Sequence, residues 1–278
     1  STIEEGIALY EHEWLHGISS SFELRGRHIS SNRYVPMILP DGRSLHGIND
    51  ASIRIGLRLS KDETIVRMPF EVRHMGSKYP IFSFDFTGAK RGVLPASYDY
   101  LRLEGRMQYR LNLPPIGYSQ LMLEGGKIFG KVPYLLLKLH EGNGTYFYDR
   151  YAFSCMNFYE FSSDAWISFF YEHHFNGFLL GRVPLLKKLN WREVFVFKGV
   201  YGTLSARNDG SLPNTKAVML FPVGMSSVEH PYLETGFGIE NIFRLLRVDC
   251  IWRLTHHRAV PGLSIPTFTV NFSLNLKF

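Results

Sequence analysis

The last twelve residues, Thr267 to Phe278, alternate without a break. Phe268, Val270, Phe272, Leu274, Leu276 and Phe278 have one parity. Thr267, Thr269, Asn271, Ser273, Asn275 and Lys277 have the other. Successive side chains of a strand point to opposite faces, so this strand is wholly apolar on one side and wholly polar on the other. Globular strands usually run roughly 5–6 residues, whereas a tilted strand needs about 9–11 to cross a bilayer. A run of this length that ends on an aromatic residue predicts the closing strand of an outer-membrane β-barrel.

The same pattern recurs upstream. Ala51, Ile53, Ile55, Leu57 and Leu59 alternate with Ser52, Arg54, Gly56, Arg58 and Ser60. Leu101, Leu103, Met107, Tyr109, Leu111 and Leu113 oppose Arg102, Glu104, Arg106, Gln108, Arg110 and Asn112. Phe82, Phe84 and Phe86 alternate with Ser83, Asp85 and Thr87. Leu246, Val248, Cys250, Trp252 and Leu254 oppose Arg247, Asp249, Arg253 and Thr255, with Ile251 out of pattern. Ile18–Arg27 is a weaker copy. Turn signals separate the runs: Pro40-Asp41-Gly42, Pro114-Pro115, Gly142-Asn143-Gly144, Asn208-Asp209-Gly210 and Pro261-Gly262. The expected fold is all-β, an antiparallel transmembrane barrel of about 12 strands here and about 12–16 in the full barrel. Short turns are expected on one rim and long loops on the other. The whole chain, 1–278, reads as one barrel domain, the C-terminal fragment of a longer protein.

A soluble sandwich or lipocalin-like barrel also alternates, but runs of this length exceed most sandwich strands. The polar faces carry opposed charges, and the apolar faces of the cleanest runs carry none. A lipid-facing Arg or Lys costs roughly 2–4 kcal/mol at the bilayer midplane, whereas a polar lumen accepts ion pairs. Arg54, Arg58, Arg102, Glu104, Arg106, Arg110, Arg247, Asp249 and Arg253 are therefore predicted to face the lumen.

Composition agrees. Aromatic residues make up 15% of the chain, which suits strands and interfacial girdles. Mean hydropathy is −0.08, and no run of 18 or more apolar residues predicts a transmembrane helix. The net charge of +6 is not gathered into the dense basic runs of a nucleic-acid surface. The STIEEG start has no leader pattern and reads as a processed or excised end. Cys155 and Cys250 match no metal spacing, and the sequence leaves their pairing open.

His12-Glu13-Trp14-Leu15-His16 formally matches H-E-x-x-H, the zinc-peptidase pattern in which a helix puts two histidines on one face. Ile3, Ile7, Leu9 and Tyr10 could belong to that helix. If the segment is extended instead, the two imidazoles lie about 13 Å apart and share no metal. Phe22 stands where the third metzincin histidine would fall. No catalytic or metal residue is assigned on this pattern, and no cofactor is expected. The pairs His173-His174 and His256-His257 are not chelates if extended, and read as interface or loop histidines. Gly125-Gly126 reads as a strand bend or turn. A Ser/His hydrolase pair on the barrel wall has no sequence signature here.

The segment Glu234–Leu254 followed by Phe268–Phe278 resembles the last strands of the BamA/two-partner-secretion barrel superfamily. Gly236, Gly238, Ile239, Leu246, Arg247, Val248 and Asp249 carry the likeness. Residues 130–164 and 173–194 resemble an uncharacterised Gram-negative outer-membrane family with a small carboxypeptidase-regulatory-like domain ahead of its barrel. Only the barrel part corresponds to this chain. The superfamily's lumen loop carries an Arg-Gly-aromatic motif, and the nearest match is Asp149-Arg150-Tyr151, without the glycine. Arg150 is the implied lumen-loop residue, and an ordinary rim arginine is the alternative. By the same resemblance the terminal strand, Phe268 to Phe278, is the signal read by barrel-insertion machinery.

The resemblance implies an integral protein of the bacterial outer membrane that translocates, inserts or displays polypeptide. The expected partners are outer-membrane lipid, the insertion machinery and a polypeptide substrate. A passive channel or receptor barrel is the alternative reading, and a zinc peptidase a remote third.

Overall fold

A computed structural model describes residues 3–15, 17–63, 65–68, 71–74, 77–211, 216–258 and 264–274. The strands in chain order are β1 (Ile3–Leu15), β2 (Ile18–Ser30), β3 (Gly47–Leu59), β4 (Ile65–Met68), β5 (Glu71–His74), β6 (Ile81–Ala89), β7 (Tyr100–Asn112), β8 (Tyr118–Gly130), β9 (Lys138–Leu139), β10 (Phe161–Ser163), β11 (Ala165–His174), β12 (Arg192–Thr203), β13 (Ser226–Ser227), β14 (Tyr232–Ile242), β15 (Leu246–Arg253) and β16 (Phe268–Leu274). Eleven of them form one antiparallel sheet in the order β1-β2-β3-β6-β7-β8-β11-β12-β14-β15-β16. Each neighbour in that sheet is the next long strand along the chain, as expected of a hairpin-built barrel wall. Among the described strands β1 pairs only with β2, and β16 only with β15.

The register decides which face each residue takes. Trp166, Phe170 and Glu172 of β11 lie opposite Gly202, Lys198 and Val196 of β12, and all are buried on the face where the long loops pack. Carried across the sheet, that inner face holds Arg54, Arg58, Arg102, Glu104, Arg106, Arg110, Arg247, Asp249 and Arg253. The outer face shows Phe22, Ile55, Phe84, Leu101, Ile167, Phe237 and Trp252, each more than a third exposed. A soluble barrel would not leave apolar rings on strand after strand in water. Ile251 is the one apolar residue that breaks the alternation of β15, and it is fully buried inside.

Three buried clusters fill the interior. The largest joins Ile29, Ile48, Tyr100, Ile128 and Trp166 of the wall to Val35, Met37, Tyr134, Leu136 and Met219 of the loops. Wall residues from β2 to β11 thus contribute to one cluster, with the sheet wrapped about its own connections. The second cluster sets Phe153 and Met156 against Met122, Phe170, Val200 and Tyr232. The third packs Cys155 against Val194, Val196 and Ile251.

One rim joins β1 to β2, β7 to β8 and β14 to β15 through short connections, but it also carries the longer ones from β3 to β6 and from β11 to β12. The latter holds a short helix, α1 (Pro184–Lys187). The opposite rim carries 31–46, 90–99, 131–164, 204–231 and 254–267. The rim asymmetry is therefore real but incomplete. No helix among the described residues is long and apolar enough to cross a membrane.

Several sequence expectations need correction. Residues 3–15 take the extended form of the two weighed for this segment, strand β1, so His12 and Glu13 point to opposite faces. His12 lies on the outer face, stacked on Tyr10 and edge-on to Trp14, and His16 lies outside the described residues. Gly125 and Gly126 stand inside β8 and make no turn. A Cβ at Gly126 would lie 2.6 Å from the Trp166 indole, so this glycine clears the wall for that ring. Gly142-Asn143-Gly144 does not join paired sheet strands. It lies near the start of the loop 141–160, where Asn143 Oδ1 accepts from the Thr145 N–H at 3.0 Å. Leu276 and Phe278 of the terminal strand, and Pro261-Gly262, lie outside the described residues.

Candidate functional site: a loop locked to the inner wall

The loop 141–160 leaves the rim, enters the interior and is held there by charged wall residues. Lys198, Glu234 and Arg253 are register partners across β12, β14 and β15. They form a plus-minus-plus row on one level of the inner face. The row matches the loop backbone group by group. Lys198 Nζ donates to the carbonyls of Asp149 at 2.8 Å and Ala152 at 2.6 Å. Glu234 accepts from the backbone N–H groups of Ser154 at 2.8 Å and Cys155 at 2.7 Å. Arg253 donates to the Cys155 carbonyl at 3.2 Å and pairs with Glu160 at 2.6 Å. A buried loop must find partners for its peptide groups, and the wall supplies them as charge-assisted bonds.

A second level lies nearer the tight-turn rim. Glu172 of β11 accepts from Arg150 at 2.9 Å and from Arg247 at 3.2 Å. Tyr148 donates its hydroxyl to the same carboxylate. Arg247 also bonds both oxygens of Asp249. The Tyr148 ring lies between the Lys198 ammonium, 4.5 Å from its centroid, and the Arg247 guanidinium at 4.4 Å. Burial raises the Tyr148 hydroxyl far above the ordinary phenol range, so it acts only as a donor to Glu172. Gly236 and Gly238 explain themselves here: a Cβ would meet the Ile251 side chain at 2.4 Å and the Asp249 carboxylate at 2.2 Å. The Gly-x-Gly spacing opens the wall where the next strand's inner residues lie.

Away from the loop the inner wall pairs its charges locally. Arg54 meets Asp85 at 2.8 Å, Arg58 meets Glu63 at 2.7 Å, and Arg106 meets Glu124 at 2.6 Å. Arg102 donates to the Leu136 carbonyl at 2.6 Å, and Arg110 stacks on Tyr118. Glu104 sits in register between Asp85 and Gly126. The pair His173-His174 splits across β11. His174 faces inward between Glu172 and Glu240, and His173 faces outward onto Ser119, 2.8 Å away. Of the terminal-strand positions, Phe268, Val270, Phe272 and Leu274 lie on the outer face of β16. Both cysteines are free. Burial, with Glu234 beside it, pushes the Cys155 thiol up to about 12, which leaves it unreactive. No group of three or more His, Cys, Asp or Glu among the described residues is arranged to hold a metal ion.

Sequence reasoning missed Glu172, Lys198, Glu234 and Tyr148. The first three are charges at inner positions of strands whose outer faces are mostly apolar. That placement was a usable signal, but nothing local marks what they bind.

His140 lies in the loop base, buried, with Ser163 Oγ at 2.9 Å. Burial pushes its imidazole from 6.5 down to about 3. The folded value lies below the unfolded one, so its contribution is intact above pH 6.5 and is lost as pH falls toward 3. Acidification from pH 7 to 5 should cost about 2 kcal/mol at this site. Urea unfolding of His140→Gln should show a shallower loss over that interval than the unaltered chain.

The fold, the ion-paired inner wall and the inward loop define an outer-membrane-type β-barrel of BamA-like architecture. Among 57 matching solved chains is BamA from Haemophilus ducreyi lacking POTRA domains 1–3. It shares 11% identity at a TM-score of 0.55, over 98% of this chain and 54% of that one. The present chain thus spans about half the length of that structure. A family model described as the C-terminal domain of a family of unknown function (DUF5686) matches residues 11–206, and the chain belongs to that family. No curated protein matches the sequence.

Proposed function

We propose that this chain is the wall of an integral outer-membrane barrel that handles polypeptide, by translocation, membrane insertion or surface display. The observation that carries the reading is the loop 141–160, folded into the interior and bonded through its backbone to Lys198, Glu234 and Arg253. A wall that binds peptide groups through fixed charges at one end has the chemistry to meet an extended chain elsewhere. The likeness to BamA supports the architecture, and the outer apolar face supports residence in lipid.

Membrane residence is tested first. The protein should be recovered with the outer membrane and should migrate heat-modifiably in a gel. A chain soluble without detergent would overturn the reading. The polypeptide role is tested by photo-crosslinkers at Arg54 and Arg106, on the part of the wall that the loop leaves open. Capture of a defined polypeptide during its passage supports it. A wall that captures none, combined with an open size-selective conductance in planar bilayers, would replace it with a passive channel.

A further inference from the structure

Antiparallel pairing with β15 turns alternate backbone groups of β16 toward the open side of the sheet. Arg253 N–H donates to the Thr267 carbonyl at 2.9 Å, which sets the phase. The N–H and C=O groups of Val270, Phe272 and Leu274 therefore face away from β15. At Phe272 that edge is taken. Phe272 N–H donates to the Tyr146 carbonyl at 2.7 Å, and Tyr148 N–H donates to the Phe272 carbonyl at 2.7 Å. These bonds form a parallel bridge between Phe147 and Phe272. Asn271 Nδ2 adds a bond to the Thr145 carbonyl at 3.1 Å. Residues 145–148 act as a one-bridge strand appended to the terminal strand.

The same four residues are tied to the interior. Phe147 stays exposed beside the outer face, whereas Tyr148 turns inward to the clasp of Lys198, Arg247 and Glu172. Backbone contacts at the edge and a side-chain anchor in the lumen thus meet at one residue.

We propose that residues 145–148 form a strap that blocks the outer edge of β16 and is held there by the lumen charges. A strand adding antiparallel to β16 needs the Phe272 N–H and C=O groups that the strap uses. Strap and added strand exclude one another at this residue, so pairing at the edge requires release of the loop from the wall. The proposal rests on the fold alone and stands or falls separately from the polypeptide reading.

The test uses the purified chain in detergent micelles, with Cys155→Ala and Cys250→Ala removing the native thiols. Phe147→Cys with Phe272→Cys should form an intramolecular disulfide under mild oxidation, seen as a reductant-sensitive mobility shift. Adding Tyr148→Ala should lower the yield several-fold while heat-modifiable migration persists. An unchanged yield in folded Tyr148→Ala would overturn the link to the lumen. Amide exchange in the unaltered chain needs no substitution. The Phe272 amide should exchange on the order of tenfold or more slowly than the edge-facing amide of Val270. Equal rates, or no disulfide, would overturn the strap.

Discussion

Arg247→Met should destabilise the folded barrel by about 3–5 kcal/mol, the range for removing one partner of a buried charge network. Arg247 is nearly fully buried and bonds Asp249 through both carboxylate oxygens and Glu172 at 3.2 Å. Its loss leaves Asp249 as a buried carboxylate facing Gly238, and strips one of the two cations from the Tyr148 ring. Glu172 keeps Arg150 and His174, so the damage should centre on Asp249. Arg247→Met with Asp249→Asn should therefore recover a large part of the loss, because no unpaired charge remains. Urea unfolding in lipid or detergent reads the stability, and protease cleavage within 141–160 reads release of the loop. A single variant as stable as the unaltered chain would show that the network contributes nothing to holding the loop.

Phe84→Arg should cost about 2–4 kcal/mol if the outer face meets lipid. Phe84 stands in the middle of β6, on the outer face and 39% exposed. In water an exposed Phe→Arg change would be nearly neutral, within about 0.5 kcal/mol, so this substitution separates a lipid face from a solvated one. Thr87→Glu is the control. Thr87 faces inward on the same strand, in register with Arg54 and Arg102, where a carboxylate gains opposite charges. It should stay within about 0.5 kcal/mol. Folding efficiency into vesicles of graded thickness and urea unfolding both report the difference. A neutral Phe84→Arg would argue for a solvated outer face.

Much of the wall was legible because its rule is local. Leu101 to Asn112 alternate by parity, and the structure turns that parity into an outer face of Leu101, Leu103 and Met107 against an inner face of Arg102, Arg106 and Arg110. β16 is described only to Leu274, within the run that ends at Phe278. Local reading is weaker where a motif's meaning depends on its surroundings. His12-Glu13 requires a helix to be a metal site; none was assigned on that pattern, and β1 is a strand with twelve residues in register with β2. Gly142-Asn143-Gly144 lies within a long connection and does not join two strands of the sheet. Gly125-Gly126 makes no turn but stands within β8, where Gly126 leaves room for the Trp166 ring of the neighbouring strand.

The inward loop marks the limit of local reading. Lys198 meets carbonyls 46 and 49 residues away, and Glu234 meets amides 79 and 80 residues away. Arg253 reaches Glu160 across 93 residues. In sequence each is one more polar residue at an inner position. Alternation by itself determined strands, faces and a barrel-type wall, because a strand's period of two is set by backbone geometry within a few residues. Which charges meet the loop, and which edge the loop covers, was decided only by the tertiary structure, because those bonds join groups far apart in sequence, many of them backbone groups that carry no side-chain identity, and are brought together by the curl of the sheet.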